Sequence, residues 1–478
     1  MNEQDEVCAF LGRGAERIET HISVVFLAGA LAYKLKRAVR FSYLDYSTLA
    51  LREKYCRAEL ALNRRTAPGI YRAVRAVTRE ADGTLALDGA GPAVEWVVEM
   101  RRFEQDALFD RMALTPALMR ELTDEIAVFH AQAERVSGYG GAAALAEVMA
   151  GNGANLLAAG LPQEAVARLD AAGRARLAAV GAVLDARRDA GKVRRCHGDL
   201  HLGNICLWDG KPVLFDCIEF NDAFSCIDVL YDLAFLLMDL RHRGERDFAS
   251  LVLNRYLDRT GEADGLAVLG LFMSVRAAIR AHVLAVQGRA EAGGYLALAE
   301  ELLAPRAPCL VAVGGLSGSG KSTLAAALAG ALGARVIRSD VVRKALAGVA
   351  PEVRLPEAAY DAATTARVYA ALHEQAREAL AAGFPVILDA TFLRAEERRA
   401  VAELAPGVPF LGVWLEAPVA VLAARLAARR GDASDADVEI LHRQLRAGAG
   451  AVDWWRVDAA QGVTEQVGAL IARMSTPT

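Results

Sequence analysis

The sequence has no Cys-x-x-Cys pair, and its seven cysteines, at 8, 56, 196, 206, 217, 226 and 309, are odd in number. That argues against a disulfide framework or a zinc site and leaves reduced, buried thiols as the ordinary reading. Charge of one sign is also lacking: 55 basic and 59 acidic side chains are mixed along the chain and give a net charge of -4. Broad electrostatic capture of nucleic acid is thereby disfavoured, and only a local basic cleft stays open. Although 54% of the residues are hydrophobic, the alanine-rich stretches are regularly broken by Arg, Glu and Asp. The apolar run Val24–Ala32 is too short for a bilayer and is interrupted by Gly29, so no membrane partner is expected. The acidic start, Met1-Asn-Glu-Gln-Asp-Glu6, lacks the succession of a signal peptide, and a cytoplasmic location is the expectation. No internal repeat is present, and 478 residues exceed one ordinary core, so two or three domains are expected.

What the chain does have is concentrated in Arg195-Cys196-His197-Gly198-Asp199-Leu200-His201-Leu202-Gly203-Asn204-Ile205, followed by Val213-Leu214-Phe215-Asp216-Cys217-Ile218-Glu219. A turn would explain His197-Gly198-Asp199 alone. The amide five residues on and the second carboxylate after an apolar strand are instead what magnesium and a hydroxyl nucleophile require. Asp199 is the candidate to accept or orient the hydroxyl proton, with Asn204 and Asp216 as oxygen ligands for Mg2+.

These loops resemble the catalytic and metal-binding loops of aminoglycoside phosphotransferases, the small-molecule branch of the protein-kinase-like fold. The resemblance covers roughly the first 300 residues and is strongest in these loops. It implies a bilobal α+β domain that uses ATP. Ile22–Leu27 and Leu31–Lys36, around Ala28-Gly29-Ala30, read as a hairpin in which Lys34 and Lys36 share a face. By resemblance one of them reaches the nucleotide phosphates, with Lys36 better aligned to the end of the family's strand. A helix from about Tyr46 to Arg65 carries Glu59, which the resemblance makes the partner of that lysine, with Glu53 as rival. No Gly-x-Gly-x-x-Gly precedes the hairpin; Gly12-Arg-Gly14 and Glu19-Thr-His-Ile22 stand there instead. Val94–Met100 is placed where this fold has its hinge. Residues 115–190 read as helices broken at 138–141 and 151–153. Asp228 and Asp232, four apart, are expected on one face at the start of an apolar helix, and Asp228 reads as structural, a cap or a brace for the catalytic loop.

Ala304-Pro-Arg-Ala-Pro308 makes a stiff boundary, giving domains 1–304 and 305–478. The second opens on the strand Cys309–Val313 and Gly314-Gly315-Leu-Ser-Gly318-Ser-Gly320-Lys321-Ser322-Thr323, which satisfies the Walker A spacing in a strand–loop–helix context. Gly315, Gly318 and Gly320 let amides approach phosphates, Lys321 neutralises them, and Ser322, followed by Thr323, faces magnesium. Two further strands end in Asp340 and Asp389, the latter like a Walker B carboxylate for magnesium, and a helix carries Arg425, Arg429 and Arg430. Asp340 with Arg343 resembles the Asp-x-x-Arg of P-loop kinases that phosphorylate small hydroxyl substrates, of 5'-hydroxyl polynucleotide kinases and of zeta-toxin-like kinases. That resemblance makes Asp340 the general base and Arg343 its aid. A helix cap at Ser339 or Asp340 is compatible with it. The helix carrying Arg425 and Arg429 resembles a lid, where the arginines would stabilise transferred charge, although such residues also suit a helix C-terminus.

The fold class expected is therefore an α+β kinase-like domain followed by an α/β P-loop domain with a parallel sheet, and the pairing resembles bacterial fusion proteins that join these two. The implied activity is phosphotransfer from ATP, with Mg2+, to hydroxyls of small polar metabolites. Two alternatives stand beside it: a P-loop half that alone is active, on a nucleic-acid 5'-hydroxyl or a nucleotide sugar, and an ATP-sensing interaction protein without transfer.

Overall fold

The computed structural model describes residues 3–474, apart from 42, 306 and 429–431. By packing the chain divides into two units, Met1–Asn155 with Leu177–Asp239, and Leu156–Arg176 with Leu240–Thr478. The packing boundary does not fall at 304/305.

In the first unit α1 (Glu3–Leu11) precedes β1 (Glu16–Glu19), β2 (Ser23–Ala28) and β3 (Leu31–Lys36). The short β4 (Arg40–Phe41) and β5 (Leu44–Asp45) then lead to α2 (Leu49–Asn63), whose cap Thr48 accepts from the Leu51 N–H. With β6 (Tyr71–Arg79), β7 (Leu85–Leu87) and β8 (Ala93–Arg101) the described strands make a sheet in the order β1-β2-β3-β8-β6-β7. The expected hairpin is β2–β3, with Val25 opposite Lys34. It forms because the apolar residues on both strands bury Val24, Phe26, Ala32 and Leu35, while α2 packs against β6 and β8.

Helices α3 (Pro116–Gln132), α4 (Gly141–Ala158) and α5 (Gln163–Asp189) follow. The break expected at 151–153 is absent, since α4 runs through Gly151 and Gly153. Glycine costs an interior position only about 1 kcal/mol, too little to end a helix of this length by itself. Next come β9 (Val193–Arg195), β10 (Ile205–Trp208), β11 (Lys211–Leu214), the single turn α6 (Asp222–Ser225), β12 (Cys226–Asp228) and α7 (Val229–His242). Asp228 thus closes a strand and only Asp232 lies on the helix, so the two acids do not share a helix face. Asp228 does cap and brace: it accepts from the Leu230 N–H (2.8 Å) and, through both oxygens, from the buried Arg187 at 2.8 and 2.9 Å.

The second unit holds α8 (Arg246–Thr260), the packed pair α9 (Leu266–Val286) and α10 (Ala292–Leu303), and then the α/β region. The stretch Glu262–Val286 is long and apolar enough to cross a membrane, with an 18-residue window of mean hydropathy 1.5, but 67% of that window is buried inside the fold, as in a core helix. Strands β13 (Leu310–Gly315), β14 (Arg335–Arg338), β15 (Val386–Asp389), β16 (Phe410–Glu416) and β17 (Trp455–Asp458) form a parallel sheet in the order β14-β15-β13-β16-β17. Between them run α11 (Lys321–Leu332), α12 (Ser339–Leu346), α13 (Ala362–Ala381), α14 (Ala395–Ala402), α15 (Val419–Ala428) and α16 (Val438–Ala447), and α17 (Val463–Met474) ends the series. Val311, Val313, Leu324, Leu328, Ile387, Val413, Leu415 and Leu470 form its core, so the central strands are apolar on both faces, as parallel sheets require.

Candidate active sites

The loop between β9 and β10 is shaped by its backbone donors. Gly198 has φ +88°, and a Cβ there would lie 2.8 Å from the Phe224 carbonyl oxygen, so only glycine fits the turn. The carboxylate of Asp232, on α7, accepts from the His197 and Gly198 N–H groups at 3.0 and 2.8 Å, and Asp239, one helical turn from the end of the same helix, accepts from the Leu202 N–H at 3.0 Å. Within the loop so held, Asn204 Nδ2 donates to both Oδ2 and the backbone oxygen of Asp199, each at 2.9 Å. The amide therefore fixes the carboxylate and leaves its own Oδ1 as the atom suited to a cation.

His130, Cys196 and Asp232 bring ligand-type atoms within 4.8 Å of one another, all buried. Asp232 is committed there to two backbone amides and to His130 Nε2 at 3.1 Å, an arrangement that holds the loop.

Asp216, after β11, adopts φ +63°, a conformation aspartate tolerates better than most residues. Its side chain meets Lys34 Nζ at 2.5 Å, and the same ammonium lies 2.9 Å from Glu59 Oε1. Lys36 reaches the other oxygen, Glu59 Oε2, at 2.6 Å and also pairs with Glu219, whose Oε1 accepts from the Tyr46 hydroxyl at 2.5 Å. Burial works against the Glu59 charge, but the two lysines outweigh it and hold the carboxyl well below the usual range. Both lysines thus share the face the alternation predicted. Their settings differ: the Lys36 side chain is 1% exposed between buried carboxylates, whereas Lys34 is 13% exposed and touches Asp216, itself 40% exposed. The geometry favours Lys34 for a phosphate, the reverse of the preference drawn from the strand end. Glu53 pairs with Arg57 on the surface and is no rival to Glu59. Glu219 and Tyr46 went unassigned in the sequence, since no local pattern links them to a lysine on β3.

In the α/β region the loop from Gly315 to Gly320 joins β13 to α11. Gly318 has φ +82°, and a Cβ there would lie 2.6 Å from the Leu422 carbonyl oxygen. Lys321 Nζ donates to the carbonyl oxygens of Gly315 and Leu316 at 2.9 and 3.0 Å, while Ser322 and Thr323 stand in the first turn of α11. Such a loop ahead of a helix N-terminus, with glycines where side chains do not fit, suits a phosphate. Arg425 on α15 lies against it, donating to the Ser319 and Ala459 carbonyl oxygens at 3.4 and 2.9 Å. Arg429 is outside the described residues.

Asp389 ends β15 beside Arg338 Nε at 3.3 Å, and Arg338 also donates to Asp432 at 2.9 Å. Asp340, in the first turn of α12, has its carboxyl pushed up by burial, with Arg338 opposing and Asp389 adding to the shift. Arg343 donates to the Ala359 carbonyl oxygen (2.8 Å) and Thr365 Oγ1 (3.3 Å), with its guanidinium 4.6 Å from the centre of the Tyr360 ring, so it braces one wall. Two residues unsignalled in the sequence complete the site. Arg338 is one, and Gln444 on α16 is the other: it accepts from the Ser317 N–H at 2.9 Å and donates to Ser317 Oγ at 3.0 Å.

The chain is similar to known families and proteins in both parts. A model described as the phosphotransferase enzyme family matches residues 52–269, and one described as an AAA domain matches 310–449. Uncharacterized proteins of Mycobacterium tuberculosis and Mycobacterium bovis are 32% identical over 484 residues, covering 94% of this chain and 93% of theirs. Among solved structures, a gluconokinase from Sinorhizobium meliloti is 30% identical, covering 36% of this chain and 93% of its own, with a TM-score of 0.27. The APS kinase CysC of Mycobacterium tuberculosis is 21% identical over 36% of this chain and 100% of its own, with a TM-score of 0.27. The chain belongs to the family of those mycobacterial proteins, and it joins a phosphotransferase-family domain to an AAA-type P-loop kinase domain.

Proposed function

We propose that the chain is a two-headed phosphotransferase, using ATP and Mg2+ to phosphorylate hydroxyl groups of small polar metabolites of the sugar, amino sugar or nucleoside type. Its functional domains in this reading are 1–304 and 305–478, and its place is the cytoplasm. The observation that carries it is the Lys34 ammonium joining Glu59 and Asp216, an ion-paired cation beside a partly exposed carboxylate.

Magnesium, when bound, neutralises the phosphate oxygens. Asn204 and Asp216 would hold it in the first head, Ser322 and Asp389 in the second. Asp199, fixed by Asn204, takes the proton of the acceptor hydroxyl as its oxygen bonds to phosphorus and ADP departs. Lys34 pairs with the phosphates and is oriented by Glu59. Lys36, locked between Glu59 and Glu219, positions the loop that starts at Asp216. In the second head Gly315, Gly318, Gly320, Lys321 and Thr323 cradle the phosphates and Asp340 takes the proton. Arg343 shapes the acceptor wall, and Arg425, with Arg429, meets the charge that develops on transfer.

The test is a mass-spectrometric acceptor screen with ATP and Mg2+ over sugars, amino sugars, nucleosides and a 5'-hydroxyl oligonucleotide. Products lost separately in Asp199→Asn and Asp340→Asn are expected. A product indifferent to Asp199→Asn would leave the P-loop half as the only head. Tight ATP binding without any product would replace the proposal with a nucleotide-sensing role.

A further inference from the structure

Strand β14 is the outer strand of the parallel sheet at the end where β15 is its neighbour, so its other side presents unpaired backbone groups. That side is met by α8, which also packs against α11. Asn254 of α8 accepts from the Val336 N–H through Oδ1 at 2.7 Å and donates from Nδ2 to the Ala334 carbonyl oxygen at 3.1 Å. One residue of a neighbouring parallel strand makes the same pair of bonds, an N–H to one residue's carbonyl and a C=O to the N–H two positions on. The planar carboxamide thus stands in for a single peptide of a sixth strand. Arg335, buried between, donates to Asp258 at 2.6 Å and to Asn254 Oδ1 at 3.2 Å.

The helices themselves are in close contact. A Cβ on Gly330 of α11 would fall 1.8 Å from Asp247 Oδ1 and 3.3 Å from Asp247 Cα of α8, so a larger residue there has to displace the Asp247 side chain. One helix therefore grips both the helix that begins with Lys321 and the strand whose end delivers Arg338 and, two residues later, Asp340.

We propose that α8, which precedes the linker at 304–308, is a working part of the P-loop transfer site, with Asn254 the positioning residue that sets β14 and through it Asp340. Asn254 touches no reacting group. It acts by fixing the backbone register and height of the strand from which the base is presented, and small displacements of a base are costly to transfer. The inference rests on the reading of Asp340 as the base of the second head.

The experiment uses the full chain with Asn254→Ala, Asn254→Asp and Asn254→Gln, followed by amide hydrogen exchange and steady-state phosphotransfer. Asn254→Ala is expected to speed exchange at Val336 about tenfold, the loss of one protecting bond. Asp340-dependent kcat should fall by about 10- to 100-fold while KM for ATP stays within about twofold. Asn254→Asp keeps the acceptor for Val336 and should recover part of both effects, whereas the longer Asn254→Gln should not. Unchanged exchange at Val336 overturns the proposal, as does faster exchange with kcat unchanged, or a loss carried equally by KM. If wild-type transfer is insensitive to Asp340→Asn, the reading of the base fails first and this inference falls with it. Sensitivity to Asp340→Asn without sensitivity to Asn254→Ala overturns the inference alone.

Discussion

Exchanging each of the two β3 lysines for methionine separates the cation that handles phosphate from the one that holds the site together. The Lys36 side chain is 1% exposed and faces Glu59 and Glu219, which are 0% and 5% exposed. Removing it strands two buried carboxylates: Glu59 keeps Lys34, and Glu219 keeps the Tyr46 hydroxyl. Breaking a buried pair in this way costs about 3–5 kcal/mol. At about 2–4 °C per kcal/mol for a unit of this size, Lys36→Met should lower Tm by on the order of 10 °C. Lys34 is 13% exposed and its partner Asp216 40% exposed, so solvent discounts that pair, and Lys34→Met should cost only about 1 kcal/mol. Asp199-dependent turnover, however, should fall by about 10²–10³-fold, the usual loss when a charge-stabilising donor is removed. Calorimetry and the phosphotransfer assay on both variants read the two effects. Glu219→Gln added to Lys36→Met should restore part of the Tm, because it removes one stranded charge. A Lys36→Met protein with wild-type Tm and no turnover, beside an active Lys34→Met, would refute the assignment.

Three further outcomes follow from the geometry. Burial pushes His282 down to about 4, so the folded chain holds it neutral while the unfolded chain protonates it near pH 6.5. Stability from this residue is thus full above about pH 6.5 and declines as the pH falls towards 4, by up to about 3 kcal/mol, and denaturant unfolding across that range should flatten in His282→Leu. Gln444→Glu keeps the acceptor for the Ser317 N–H but sets a negative charge beside the P-loop, so KM for ATP in the second head should rise about tenfold, more than in Gln444→Ala; equal effects of the two would place Gln444 away from the phosphates. Gly318→Ala meets both a left-handed backbone and the Leu422 carbonyl, and calorimetric titration should show ATP affinity at that loop reduced at least about tenfold while the Asp199 head retains its own.

What could be read in advance was local. The β2–β3 hairpin, the Asp199–Asn204 loop and the P-loop each lie within a short stretch, where turn chemistry and alternation act directly on neighbouring residues. The choice between Lys34 and Lys36 was not local, because it is made by Glu219, 183 residues beyond Lys36. Asn254 and Val336 lie 82 residues apart, and Arg338 and Asp432 lie 94 apart, with no motif to connect either pair. Glycines 151 and 153 misled in the other direction, since their propensity cost is small beside the packing of a long helix. Asp228 misled because β12 borrows the residues just before α7 for its pairing with β9.

The seating of α8 also imposes an order on biosynthesis. A ribosome delivers α8 before α11 and β14, and at about 5–20 residues per second the delay between them lasts several seconds. Through that interval α8, on which Val252, Leu253, Tyr256 and Leu257 are buried in the folded chain, lacks α11, and Asn254 has no strand to complete. A nascent chain stalled before Lys321 therefore carries an apolar helix face, the kind of surface that chaperones retain, and an Asn254 Oδ1 still lacking the Val336 N–H, while Nδ2 keeps its bond to the Ser250 carbonyl oxygen. Residues near 250 reach their final protection only after residues near 336 have been made.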